Sequence, residues 1–137
     1  GPAIDVRGDV AAIAWFTAAT GIPKIKVAFS TNDGNSFDRA IVISDSNPAG
    51  RVDLIVLDDG SALISWLETS LDETMIKACI ANQNRSLEKS FVVARSNESR
   101  SSGFPKMVMK NDTVYFAWTE MGEYLSVKTA YMNLLKK

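Results

Sequence analysis

A short apolar segment centred on a tryptophan occurs three times in this chain. The segments are DVAAIAWFTAA (9–19), GSALISWLETS (60–70) and DTVYFAWTEMG (112–122), and their tryptophans are 51 and 52 residues apart. A second segment follows each of them, reading IKVAF from 25, IKACI from 76 and VKTAY from 127, again 51 residues apart. Two landmarks with one period are hard to obtain by chance. A period of this length is typical of propellers and solenoids.

The repeated segments have the composition of β-strands. They are short, rich in Val, Ile, Phe, Tyr, Trp and Ala, and bounded by Gly, Asp, Asn and Ser. A further apolar segment precedes each tryptophan segment, and a fourth, RAIVIS or SFVVAR, closes the first two repeats. Turn residues at 58–60 and 111–112 join first and second strands. Each repeat is therefore predicted to be a four-stranded antiparallel meander.

The second strands, such as ALISWL, are apolar on both faces. A sheet with one solvated face would alternate apolar and polar residues, whereas continuous apolar character fits a sheet packed between two others. We therefore predict an all-β chain that forms part of a β-propeller, with about three four-stranded blades. A parallel β-helix is the rival architecture, but its coils are usually shorter and the tight hairpins argue against it.

The repeat divides residues 1–137 into a single propeller segment of three blades. Blade one is predicted at 1–47, blade two at 48–100 and an incomplete blade three at 101–137. Three blades do not close a ring, because propellers have about four to eight. An open fan leaves two apolar faces uncovered. We expect the remaining blades of a longer chain to complete the ring, with closure by further copies of this chain as the alternative.

The loop STNDGNSF (30–37), between the third and fourth strands of the first repeat, resembles the Asp-box of sialidase-like propellers. That box reads roughly Ser/Thr-x-Asp-x-Gly-x-Thr/Ser-Trp/Phe, and Ser30, Gly34, Ser36 and Phe37 match it, while Asn32 stands at the aspartate position. The corresponding loop of the second repeat, ANQNRSLE, lacks the box. The resemblance implies a structural loop and a periplasmic or secreted location.

Physical chemistry supports that structural role. Asn32 is expected to bond the amides of the turn, and Gly34 to adopt a positive φ. Phe37 is expected to pack between blades. The loop is therefore predicted to stabilise the fold and to take no part in catalysis.

The resemblance to sialidases also implies three substrate-binding arginines, a tyrosine–glutamate pair and an aspartate, but no such set is complete in this chain. Arg51 begins an inner strand, where propellers line their central pocket, and is the candidate for binding a carboxylate. A hydrogen-bonded or solvated arginine at a blade edge is the favoured alternative.

Glu68 and Glu120 occupy matching positions after Trp66 and Trp118. Two carboxylates could form a glycosidase pair, although ion pairs with a neighbouring blade are the favoured alternative. Trp15 and its two counterparts could stack on sugars. Their recurrence at one position of every repeat indicates core residues instead.

Composition excludes several kinds of function. The net charge of -1, without a long run of one sign, argues against nucleic acid as a partner. The absence of histidine excludes His-dependent triads and His–metal sites. Neither a cofactor nor a metal site is expected, and no apolar run approaches the ~18 residues of a membrane span. The single cysteine, Cys79, cannot form an internal disulfide.

Together these patterns predict a non-catalytic Asp-box propeller module that binds carbohydrate or protein outside the cytoplasm. Two alternatives stay open. The chain could be a fragment of an exo-sialidase-like glycoside hydrolase whose other blades carry the missing catalytic residues. It could also be a structural module that closes a ring by oligomerisation.

Overall fold

The computed structural model describes residues 1–97 and 101–134. These residues form eleven strands in three antiparallel sheets. Blade one contains β1 (Ala3–Arg7), β2 (Val10–Thr17), β3 (Lys24–Ser30) and β4 (Ile41–Ser44). Blade two contains β5 (Pro48–Val56), β6 (Ala62–Ser70), β7 (Glu73–Ala81) and β8 (Phe91–Asn97). Blade three contains β9 (Ser101–Lys110), β10 (Thr113–Met121) and β11 (Leu125–Asn133).

Each sheet is a meander in which strands neighbour one another in chain order. The prediction of an all-β chain of antiparallel meanders is therefore confirmed. Strand β5 contacts β1 and β9, the first strands of the two adjacent blades. The first strand of each blade thus lies innermost, where neighbouring blades converge.

Two apolar cores hold the three sheets together. The first lies between blades one and two and contains Val27, Phe29, Ile64 and the fully buried Trp66. The second lies between blades two and three and is built around Leu63, Ile80, Val114 and Phe116. Strand β6 contributes alternate residues to both cores, which explains why it is apolar on both faces.

Each blade has two faces, which we name by what they cover. The incoming face carries the tryptophan and packs on the preceding blade, since Trp66 shares a buried cluster with Ala14 of blade one. Trp118 likewise packs against the core that contains Leu63 and Ile80 of blade two. The outgoing face packs on the following blade. Trp15 lies on the incoming face of blade one and is only partly buried, because no described blade precedes it.

Aspartates on two inner strands connect neighbouring blades. The Asp5 carboxylate accepts a hydrogen bond of 2.9 Å from the amide of Val56. The Asp53 carboxylate accepts one of 2.7 Å from the amide of Met107. At the first interface Arg7 also donates from Nε to the carbonyl oxygen of Val56 at 2.9 Å. These contacts fix the register between adjacent inner strands.

Two further properties concern only the described part of the chain. It contains no helix long and apolar enough to cross a membrane. It also contains no group of three or more His, Cys, Asp or Glu side chains placed to bind a metal ion.

Candidate functional site

The loop that resembles an Asp-box is closed by its own side chains. Ser30 Oγ accepts from the amide of Gly34 at 2.9 Å, and Asn32 Oδ1 accepts from the amide of Ser36 at 3.0 Å. Asn32 Nδ2 also donates to Ser36 Oγ at 2.8 Å. Gly34 has a φ of 83°, which glycine adopts without a steric penalty. These side chains therefore form an internal network that fixes the turn.

Phe37 departs from the expected packing. Its side chain remains 40% exposed instead of inserting between blades. Phe29 and Ile41 already fill the core beside this loop. The aromatic residue that ends this loop therefore adds little to the interface between blades one and two.

The corresponding loop of blade two is also closed by its own side chains, through Asn82, Asn84 and Ser86, but it connects two blades as well. Arg85 stands 51 residues after Gly34 and has the same left-handed backbone, with a φ of 76°. Its guanidinium donates to the carbonyl oxygens of Arg39 at 2.7 Å and Ala40 at 3.2 Å, both in blade one. The sequence pattern did not single out Arg85. An arginine at the position of a repeat glycine was the available signal.

Glu68 is a buried carboxylate between blades one and two, with only 3% of its surface exposed. It accepts hydrogen bonds from Ser44 Oγ at 2.7 Å, from Trp66 Nε1 at 3.1 Å and from Lys77 Nζ at 2.9 Å. Burial alone would raise its pKa, but the bonds from Ser44, Lys77 and Trp66 together lower it below the ordinary value. Glu68 is therefore ionised at neutral pH and accepts hydrogen bonds at both of its carboxylate oxygens.

Glu120 lies at the other interface. It is half-buried on the incoming face of blade three, beside Thr74, Ile76 and Arg95 of blade two. The sheet of blade two therefore separates Glu120 from Glu68. The structure does not bring these two carboxylates together, so they do not form a glycosidase pair within this chain.

The tryptophans occupy blade faces. Trp66 is 1% exposed, Trp118 packs against the second core, and Trp15 is partly covered on the incoming face of blade one. Trp66 and Trp118 pack between two sheets. Trp15 has the equivalent position on blade one, where no described sheet packs against it.

Arg51 lies in the irregular beginning of inner strand β5. The pairing of β5 with β6 shifts register twice, between Pro48 and Gly50 and between Gly50 and Asp53. Arg51 is exposed and has a φ of 55°. A left-handed backbone costs a residue with a side chain roughly 1–2 kcal/mol, so the surrounding structure must impose it.

Neighbouring side chains hold this strand beginning in place. Asn47 Nδ2 donates to Thr69 Oγ1 at 2.7 Å, and the Thr69 amide donates to the Asn47 carbonyl oxygen at 3.2 Å. The ring of Phe16 packs against Gly50, where an added Cβ would lie 3.6 Å from the ring. Phe16 itself remains 41% exposed. An exposed aromatic ring and an exposed arginine therefore flank Gly50. We call Phe16, Gly50 and Arg51 the β5 entry site.

Comparison with known proteins supports the fold. No protein-family model matches this chain, and no curated protein matches it. Among solved structures, it is similar to a thermostable family-43 glycoside hydrolase, a β-propeller, with a TM-score of 0.61 and 14% identity. The similarity covers 96% of this chain and 49% of the other, so this chain spans about half its length. At this identity the likeness shows the fold alone. The prediction of a partial β-propeller is confirmed.

Proposed function

We propose that this chain is a non-catalytic segment of a sialidase-like, Asp-box propeller that binds a carboxylate-bearing carbohydrate at the β5 entry site. The observation that carries the proposal is that Arg51 is an exposed residue with a strained backbone in an irregular inner strand. Strained residues cluster at functional sites, and bulged strands are over-represented beside them. A periplasmic or secreted location belongs to the same proposal and depends on the Asp-box resemblance.

The two exposed side chains of the site fit such a ligand. An arginine guanidinium can make two parallel hydrogen bonds to a carboxylate. The ring of Phe16 offers an apolar surface beside it, and binding sites typically combine such surfaces with a few polar groups. The similarity to a glycoside hydrolase fold supports a carbohydrate over other carboxylates.

The described side chains favour binding without hydrolysis. Glu68 is buried and ionised, so it cannot donate a proton to a leaving group. Glu120 lies across blade two from it. Burial, with the charge of Glu88, raises the pKa of the Cys79 thiol to about 11, which keeps it protonated and unreactive. An exo-sialidase-like hydrolase stays the alternative if further blades supply the acid, base and nucleophile.

The experiment is a titration of the chain with a sialylated trisaccharide and with the neutral disaccharide that lacks the sialic acid. Binding is followed by NMR chemical shifts. We expect the acidic sugar to bind more tightly, and Arg51→Ala to weaken its binding about tenfold or more, as expected for the loss of one charge-assisted contact.

Arg39→Ala is the matched control, because Arg39 is also exposed but lies in the loop before β4. It should leave binding unchanged. Equal binding of both sugars, or an Arg51→Ala variant that binds as well as the parent, would contradict the proposal. Release of free sialic acid during the titration would favour the hydrolase alternative.

A further inference from the structure

Two blade faces have no sheet against them among the described residues. The incoming face of blade one displays Trp15 together with Ile4 and Val6, which are 64% and 59% exposed. The outgoing face of blade three displays Tyr115 and Tyr131, whose ring centres lie 6.4 Å apart. Each of these surfaces corresponds by repeat position to a surface that is buried elsewhere in the chain.

The first interface, where Trp66 shares a buried cluster with Ala14, suggests a size rule in which a tryptophan of one blade faces a small residue of the preceding blade. The residue just before each tryptophan is small and points to the opposite, outgoing face: Ala14, Ser65 and Ala117. Ala14 shares a buried cluster with Trp66 of the following blade. Ser65 is fully buried although its hydroxyl has no hydrogen-bond partner among the described residues. The presence of Ser65 at this buried position is therefore better explained by the small size of its side chain than by its hydroxyl group.

Applying this rule along the chain leaves one half of a pair at each end. Trp15 is a tryptophan whose small partner is not supplied by a described blade. Ala117 is a small residue, half-buried, whose tryptophan partner is likewise not supplied. The two uncovered faces are thus complementary to each other in the way that the two buried interfaces are.

We propose that a second copy of this chain covers both faces, with Trp15 of each copy packed over Ala117 of the other. The contact is head-to-tail, and a two-fold axis makes it occur twice. Two copies of three blades give six blades, within the range of about four to eight in which propellers close. Closure leaves neither face open for growth of a filament.

The chemistry of the outgoing face of blade three favours a second copy as its occupant. On its own outgoing face, blade two carries Leu63, Ala78 and Ile80, and all three are buried. Blade three has Tyr115, Thr129 and Tyr131 at the matching positions, and all three are exposed. Tyrosine tolerates water before association and is enriched at interfaces between proteins. Tyrosine and threonine are the side chains expected on a face that is exposed to water in the free chain and buried in an assembly.

The experiment measures the mass of the full 137-residue chain by light scattering over a concentration series that reaches several hundred micromolar. We expect a discrete dimer. Trp15→Ala should weaken its association roughly a hundredfold or more, because each dimer loses two buried indoles. Ala117→Trp should also abolish the dimer, since an indole there would collide with Trp15 of the other copy.

The double variant Trp15→Ala/Ala117→Trp provides the decisive measurement. It exchanges the large and small residues across the contact and should restore the dimer that each single change removes. A monomer over the whole series, an open polymer, or a dimer indifferent to both single changes would overturn the proposal. Circular dichroism of the singly substituted chains verifies that they remain folded. Sugar binding at Arg51 is measured separately, so this proposal and the proposed function can fail independently.

Discussion

The two interfaces between blades differ in their polar contacts although similar repeats form them. Both contain a tryptophan on the incoming face, fully buried at the first interface and partly buried at the second, and an aspartate that accepts from an amide of the next inner strand. Only the first, among the described residues, adds the buried carboxylate of Glu68 and the guanidinium of Arg85. An open cleft of about 240 Å³ lies beside Arg85 at the first interface, and an open cleft of about 600 Å³ lies beside Ile80 and Met132 at the second.

This difference shows that two sets of residues contribute to the interfaces in different ways. The apolar repeat specifies how one sheet lies on the next, and it does so at both interfaces. Side chains outside the repeat determine how firmly two particular blades are joined. The first interface is therefore expected to resist local opening better than the second.

The largest expected effect concerns the shared feature. Trp66→Ala should lower the free energy of unfolding by about 3–5 kcal/mol, because it leaves a cavity in the first core. Trp15→Ala is the matched control and should cost less than about 1 kcal/mol in the monomer, since no described blade covers it. Urea denaturation at high dilution measures both. Similar losses for the two variants would contradict the assignment of incoming faces.

The next effect is specific to the first interface. Glu68→Gln should destabilise the chain by about 2 kcal/mol, because Lys77 loses its carboxylate while the side-chain shape is kept. Glu73→Gln, which removes an exposed partner of Arg95, should cost no more than about 0.5 kcal/mol. Thermal and urea unfolding compare the two variants at neutral pH.

The same carboxylate predicts a pH dependence. The folded-state pKa of Glu68 lies below its ordinary value of 4.5. Its contribution to stability is therefore complete above the unfolded-state pKa and is lost as the pH falls through the folded-state pKa. The parent chain should lose more stability than Glu68→Gln between neutral and strongly acidic pH. Parallel stability–pH curves for the two proteins would show that Glu68 is not the residue responsible.

A smaller effect should be equal at both interfaces. Asp5→Ala and Asp53→Ala each remove the acceptor of one inter-blade amide, and each should cost about 1–2 kcal/mol. Urea denaturation of the two variants under one set of conditions gives the comparison. A marked inequality would mean that the inner strands are joined differently at the two interfaces.

The smallest effect should appear as local opening. Arg85→Ala should cost about 1 kcal/mol and speed amide hydrogen exchange in β4, because Arg39 and Ala40 lose their bonds to the guanidinium. Arg85→Gly removes the same bonds but relaxes the positive φ, so it should be the more stable of the two variants. Unchanged exchange in β4 would show that the guanidinium does not hold the blades together.

The repeat made the fold predictable because its signal is local. The tryptophan period, the second repeated segment and the strand composition are all visible in one pass along the sequence. Alternation then assigns each side chain to a face. The departure of Phe37 came from its neighbours, because Phe29 and Ile41 had already filled the space that it was expected to occupy.

The contacts of Glu68 could not be predicted in the same way. Its partner Ser44 is distant in sequence and meets it only because β4 of blade one lies beside the end of β6. The position that matches Glu68 in blade one is Thr17, so the repeat pattern does not predict a buried charge at Glu68. The backbone strain at Arg51 was only partly signalled. Pro48 and Gly50 mark an irregular stretch of strand, but they do not indicate that Arg51 adopts the left-handed conformation.

The direction of packing has a consequence for synthesis. Trp66 and Trp118 each cover the blade made before them, so each of these interfaces can form only after the following blade has left the ribosome. The nascent chain therefore carries one uncovered outgoing face at every stage. Valine and phenylalanine at 27 and 29 give way to threonine and tyrosine at 129 and 131. The outgoing face of blade three is thus more compatible with exposure to water than the outgoing face of blade one.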